Sequence, residues 1–176
     1  LVMYDFHSYQ HRKNPQAAIE AFRQATLGRG DCALVVKTIN GDQHPEARDE
    51  LRASLADLPG TVMIDEFLTR QQTWDLQSCC DMLVSLHRAE GFGLAPAEMM
   101  YLGKPVVATG WSANMDFMNA ENSMPVHYTL APLAEAVGAY PAGPVWAEAD
   151  VGHAADCIRR LLEDAGLRET IGQRAA

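Results

Sequence analysis

Two carboxylates and two glycines share one short stretch of this chain, His87-Arg-Ala-Glu-Gly-Phe-Gly-Leu-Ala-Pro-Ala-Glu98. Glu90 and Glu98 stand eight positions apart, with Gly91 and Gly93 between them. The stretch follows an apolar run, Met82 to Leu86, that reads as a buried strand, and it leads into a helix. A strand that passes through Gly-Phe-Gly into a helix presents free backbone N–H groups at the strand's C-terminal end, where an anion is readily held. A carboxylate on each side suits a ligand that carries hydroxyls as well as phosphate, and a nucleotide sugar is such a ligand. Each residue also has a plainer reading. Glu98 could merely complement the helix dipole, Glu90 could be a solvated loop carboxylate, and Gly91 and Gly93 could merely make the turn. Glycine also lets a ligand approach the backbone closely, and the four residues together favour a site.

Cations to meet a phosphate are few. Lys13 lies in the densest basic spot, His11-Arg12-Lys13, in the loop after the first expected strand. That loop faces the same cleft, so Lys13 is the expected phosphate contact, with Arg12 a weaker candidate. Ser8 either donates its hydroxyl to phosphate or caps a turn. Arg88 either reaches phosphate or pairs with an acidic neighbour. His87 reads as a packed strand-end histidine, and Trp74, Trp111 and Trp146 read as packing residues. No Asp-x-Asp and no His/carboxylate cluster has metal-ligand spacing. No metal and no cofactor are therefore expected, and lysine and helix N–H groups would neutralise a leaving diphosphate.

These residues need a frame. Strands are expected over Leu1–Phe6, Cys32–Ile39, Thr61–Phe67, Met82–His87, Pro105–Thr109 and Ser123–Tyr128. Helices are expected from Asn14 or Pro15 to Leu27, Pro45–Leu58, Thr69 to Cys79 or Cys80, Leu94–Leu102 and Val151–Ala165, with a last one from Leu167. Met115–Met118 reads as one helical turn, and Ala131–Val145, rich in proline and glycine, reads as irregular. Alternating apolar strands and helices predict an α/β fold, a doubly wound Rossmann-like parallel sheet of about six strands with helices on both faces. Ligands of such sheets sit beyond the strands' C-terminal ends, where all the unusual residues fall.

The chain has 176 residues and a net charge of −9, which disfavours nucleic acid as a partner. No apolar run approaches the ~18–20 residues needed to span a bilayer. Cys32, Cys79, Cys80 and Cys157 match neither a disulfide framework nor a zinc pattern and read as reduced thiols of a cytosolic protein. The chain starts at Leu1 inside a strand-like run and stops at Arg174-Ala-Ala, as a fragment would.

Glu90-Gly-Phe-Gly-Leu-x-x-x-Glu98 resembles the E-x7-E signature of retaining glycosyltransferases of the GT-B fold, the family 4 or "group 1" class. The similarity extends to Gly103-Lys-Pro-Val-Val-Ala-Thr109, to Asp5-Phe-His-Ser-x-x-x-Arg-Lys-Asn-Pro15 and to Trp146-Ala-Glu-Ala-Asp150. Ser85-Leu-His-Arg88 resembles members that build bacterial polysaccharide or lipopolysaccharide. The resemblance implies that residues 1–176 form the C-terminal, donor-binding half of a two-domain enzyme whose N-terminal acceptor domain is absent, leaving this piece inactive alone. It implies a nucleoside diphosphate sugar as substrate and transfer of its hexosyl group, with retention, to an acceptor hydroxyl. Glu98 would hold the ribose and Glu90, the catalytic glutamate, the donor sugar. Backbone N–H groups of Gly91, Phe92, Gly93 and Leu94 would meet sugar and diphosphate, and Lys13 the diphosphate. Many members carry Gly-Arg before this lysine where His7-Ser8 stands here, so Ser8, Arg12 or Arg88 would substitute. The implied location is the cytoplasm, including the inner face of the membrane, with peripheral membrane association only for the full-length enzyme.

Three rivals remain. A nicotinamide-binding domain would need a third glycine in Gly91-Phe-Gly-Leu-Ala-Pro96 and a place after the first strand rather than the fourth. A non-catalytic nucleotide-binding module would not need both glutamates. A GT-B epimerase or phosphorylase would differ in the missing half.

Overall fold

The computed structural model describes residues 1–176. Strands β1 (Val2–Asp5), β2 (Leu34–Ile39) and β3 (Thr61–Asp65) pair in parallel, with Val2 beside Val36 and Leu34 beside Thr61. Strands β4 (Leu83–Ser85), β5 (Val106–Thr109) and β6 (Met124–Val126) form a second parallel set. Two backbone bonds join the sets. Leu1 N donates to Met82 O at 2.9 Å and Val84 N to Leu1 O at 2.8 Å. The six strands thus run in the order β3-β2-β1-β4-β5-β6, the doubly wound order whose direction reverses between β1 and β4.

Strand side chains alternate between faces, and apolar residues fill both. Val2, Tyr4, Val36, Val84, Leu86 and Val107 pack under helices α2 (Pro15–Ala25) and α6 (Val151–Glu163). Leu1, Leu83, Val106 and Ala108 pack on the other face with Met99 and Met100 of helix α5 (Leu94–Tyr101). Ala18, Ile19, Ala21, Phe22 and Ala25 recur at helical spacing and are all buried. On α6 the stripe is Ala154, Ala155, Cys157, Ile158 and Leu161. Each large side chain so buried contributes about 1.5–3 kcal/mol, far more than an exposed ion pair.

Helix starts follow the capping rules. Pro15 opens α2 at a position where its missing N–H costs nothing. Thr69 and Gln72 form a reciprocal capping box at the start of α4 (Arg70–Cys79). Asp150 caps α6 by accepting from His153 N at 2.9 Å. Helix α3 (Pro45–Leu55) and helix α7 (Ala165–Ala175, capped by Asp164) complete the outer layer. No helix is long and apolar enough to cross a membrane.

Three expectations need correction. The segment after Asp5 is not plain loop: a 3-10 turn at Phe6–Ser8 leads into a short helix, α1 (Gln10–Lys13). Tyr9 and Asn14, both in the left-handed region at φ 57° and 51°, bracket α1, and such kinks leave no periodicity to read. The stretch read as irregular lies between two antiparallel strands, β7 (Tyr128–Pro132) and β8 (Val145–Ala149), whose ends it includes. Its prolines and glycines make the connection, while Tyr128 leaves the sixth strand for this ribbon. The expected helical turn falls at Ala113–Asp116, slightly earlier than read. All four cysteines are free thiols.

Candidate active site

The reversal between β1 and β4 opens a cleft of about 370 Å³ at the strands' C-terminal ends. Ser8, Lys13, Glu90, Gly93, Leu94 and Glu98 line it, together with Lys37, Phe67, Leu68, Arg70 and Thr73. A second cavity, about 290 Å³, lies at the opposite end, among Asp31–Leu34 and Asp81–Met82. Its lining is almost wholly apolar and includes none of the candidate ligand-binding residues.

Helix α1 carries Lys13 toward β4. Its Nζ meets Glu90 Oε2 at 2.5 Å, with the two side chains only 20% and 13% exposed. Arg12 reinforces the pair: its Nη1 lies 3.6 Å from Glu90 Oε1 and donates to Ala89 O at 2.7 Å. Burial alone would raise the Glu90 pKa, but Lys13 and Arg12 outweigh it and hold the carboxyl below its ordinary value. The Glu90 backbone is fixed as well. Its N–H donates to Ser112 Oγ at 3.1 Å, and that hydroxyl donates to Glu90 O at 2.7 Å. Ser112 sits at φ 84°, a conformation that costs a non-glycine residue about 1 kcal/mol or more and is held here by this exchange.

Glycine is required at one point. Gly93 caps α5 at φ 92°, and a Cβ there would lie 3.3 Å from Asn114 Cβ. No side chain caps the helix, and Pro96 has no N–H, so the amides of Leu94 and Ala95 are the unpaired donors of its first turn. One turn on, Glu98 is 12% exposed. Its Oε2 accepts from Gln77 Nε2 at 2.9 Å. Its Oε1 lies 2.6 Å from Arg70 Nη1, an ion pair too poorly aligned to be a hydrogen bond, so this buried oxygen lacks a hydrogen-bond donor. Glu98 thus lines the cleft as a carboxylate held by Gln77 and Arg70, and a ligand hydroxyl that donates to it does so beside that ion pair.

His87 is fully buried and structural. Its Nε2 faces two acceptors, Asn114 Oδ1 at 3.0 Å and Trp111 O at 3.2 Å, so that nitrogen carries the proton and Nδ1 accepts from Ser85 Oγ at 3.0 Å. Burial lowers its pKa, favouring this neutral form. It ties the loop after β5 to the end of β4.

Two of the expected cations do not line the cleft. Arg88 donates to Glu148 Oε1 at 2.6 Å and to His11 O at 2.5 Å, which locks β8 against α1. Of the two readings left open for Arg88, the acidic partner is the one in place. Arg12 is spent on Ala89 and Glu90 beneath the cleft floor. Gly91 and Phe92 lie outside the wall, with Phe92 exposed beside Phe117. Four contributors were not read from the sequence: Lys37, Arg70, Gln77 and Ser112. A lysine inside the apolar run Leu34–Ile39 was the one visible signal, since charged residues avoid buried strands. Arg70, Gln77 and Ser112 carry no local mark.

A family model described as glycosyl transferases group 1 matches residues 3–176. No curated protein matches the chain significantly. Among solved structures, a Staphylococcus aureus TarM variant, in complex with fondaparinux, alpha-GlcNAc-glycerol and UDP, superposes at TM-score 0.71 with 14% identity. It is matched over 99% of this chain and 30% of its own. Anabaena HepE with UDP and glucose gives 0.71 at 19% identity, over 99% and 42%. The C-terminal domain of LpcC, a glycosyl transferase group 1 family protein from Francisella tularensis, gives 0.69 at 21%, over 99% and 80%. The likeness shows the α/β fold of GT-B C-terminal domains, and the chain spans less than half of TarM and HepE.

Proposed function

The chain belongs to the glycosyl transferases group 1 family, and on that premise we propose that the cleft binds a nucleoside diphosphate sugar as the donor half of a two-domain GT-B enzyme. The observation that carries the reading is the convergence of Lys13, Glu90, the uncapped start of α5 and Glu98 in one cleft. Glu98 accepts from the ribose hydroxyls, Lys13 and the Leu94 and Ala95 amides meet the diphosphate, and Glu90 holds hydroxyls of the donor sugar. Ser8 is a further donor to phosphate. The nucleobase lies toward Phe67 and Leu68.

The reaction is hexosyl transfer with retention. The acceptor oxygen bonds to the anomeric carbon on the face the diphosphate leaves. The bond to the diphosphate breaks, and the leaving oxygen takes the acceptor's proton. The protein's contribution is then orientation and stabilisation of the leaving charge by Lys13 and helix N–H groups, without a metal. The Ser85-Leu-His-Arg88 pattern supports a role in bacterial polysaccharide or lipopolysaccharide assembly at the cytoplasmic face of the membrane.

A thermal-shift series with UDP, GDP, ADP and their sugars tests the reading. A ligand present at a hundredfold its Kd stabilises the native state by about 2.7 kcal/mol, which raises the melting temperature by about 5 °C or more for a domain of this size. At least one nucleotide and its sugar are expected to do so. A melting temperature unmoved by every one of them defeats the reading.

A further inference from the structure

Lys37 has no task in the reading above, yet it is buried where a lysine is costly. It stands in the middle of β2 and is 5% exposed. Burying an ammonium costs several kcal/mol unless its donors are met, and no carboxylate lies within ion-pair distance of it. Its Nζ donates to Thr38 O and to Glu66 O, each at 2.6 Å. An ammonium has three donors and no acceptor, so one N–H has no protein partner. Burial lowers its pKa, an effect opposed by the nearby charges of Asp65 and Glu66.

Its place in the sheet says what the third N–H meets. Strands β4, β1, β2 and β3 lie side by side in that order, and neighbours are about 4.8 Å apart. Glu90 follows β4 and Lys13 follows β1, so the sugar and diphosphate lie over those two strands. Lys37 is one strand further along, and Glu66–Leu68 follow β3, two strands along. Lys37 lines the cleft with Phe67, Leu68 and Thr73, the half that the nucleobase would fill. Phosphate has Lys13 and α5, and ribose hydroxyls have Glu98. The remaining polar atoms of the ligand are those of the base.

We propose that Lys37 Nζ donates to a carbonyl oxygen on the nucleobase, so that the site selects a base with a carbonyl at this position, uracil or guanine, over cytosine or adenine, which present an amino group there. This rests on the donor-site reading. The amino group turns a second donor toward the ammonium, and two buried donors then face each other unpaired. Sites built to hydrogen-bond one group reject the analogue that lacks it for this reason.

The test is calorimetric titration of the chain with UDP, CDP, GDP and ADP, for the wild type and for Lys37→Met, which keeps length without donors. The wild type is expected to bind UDP about tenfold or more tighter than CDP, and GDP likewise tighter than ADP. In Lys37→Met both ratios should fall toward one, whereas a merely structural lysine would weaken all four ligands equally and leave the ratios intact. A thermal melt establishes that the variant folds. If it does not, the wild-type ratios decide alone: ratios near or below one overturn the proposal. Equal, measurable binding of all four sinks the role of Lys37 and leaves the donor site standing. No binding of any of them sinks the donor site and this proposal together.

Discussion

Lys13→Ala is expected to weaken binding of a nucleoside diphosphate by about a hundredfold, near 3 kcal/mol, and to change the affinity of the corresponding nucleoside by less than about twofold. The size follows from two effects that add. The variant loses a charge-assisted bond to phosphate, and it leaves Glu90 facing the cleft with only Arg12, 3.6 Å away, to balance it. An uncompensated carboxylate then repels the incoming diphosphate. The same Nζ is paired with Glu90, so the ligand must share or displace that pair. The loss should shrink as salt is raised, because part of it is electrostatic. Chelation with EDTA should leave wild-type affinity unchanged. Loss of binding on chelation together with an intact Lys13→Ala variant would contradict the metal-free account of the leaving group.

Glu98→Ala should cost about 2 kcal/mol, roughly thirtyfold, with the nucleoside diphosphate and with its sugar alike. The variant loses the acceptor offered to the ribose hydroxyls at the cleft wall and leaves Arg70 and Gln77 without their partner. Glu90→Ala should behave differently. It releases Lys13 for phosphate, so the affinity for the nucleoside diphosphate should hold or rise slightly. Only the extra affinity that the sugar adds should be lost. Calorimetry with both ligands on both variants separates the roles, and equal losses throughout would defeat the division between ribose and sugar.

Much of this was legible in the sequence because strong local rules agree. Five apolar residues at helical spacing announce α2, Thr69 announces the start of α4, and the apolar runs at Leu34–Ile39 and Val106–Thr109 announce strands buried on both faces. The placement of Glu90, Lys13 and Glu98 in one cleft followed from the doubly wound pattern, since each lies after or near the C-terminal end of β4 or β1. What was illegible depends on long-range contact. Whether Arg88 turns to a phosphate or to Glu148 is settled by β8, sixty residues away. The antiparallel ribbon was masked by the proline and glycine content of its connection. Arg70 and Gln77 belong to the site only because α4 packs beside α5, and no spacing in the chain encodes that pairing.

The central claim is that the ligand occupies the carboxyl end of the sheet across β4, β1, β2 and β3. Amide hydrogen exchange with and without a nucleoside diphosphate tests this most directly, since two cavities lie at opposite ends of the same strands. The account predicts slowed exchange at Gly93 to Ala95, at Lys13 and at Glu66 to Leu68, with no change at Asp31 to Leu34 or Asp81 and Met82. Protection confined to those last two segments, with the glycine stretch unaltered, would contradict it.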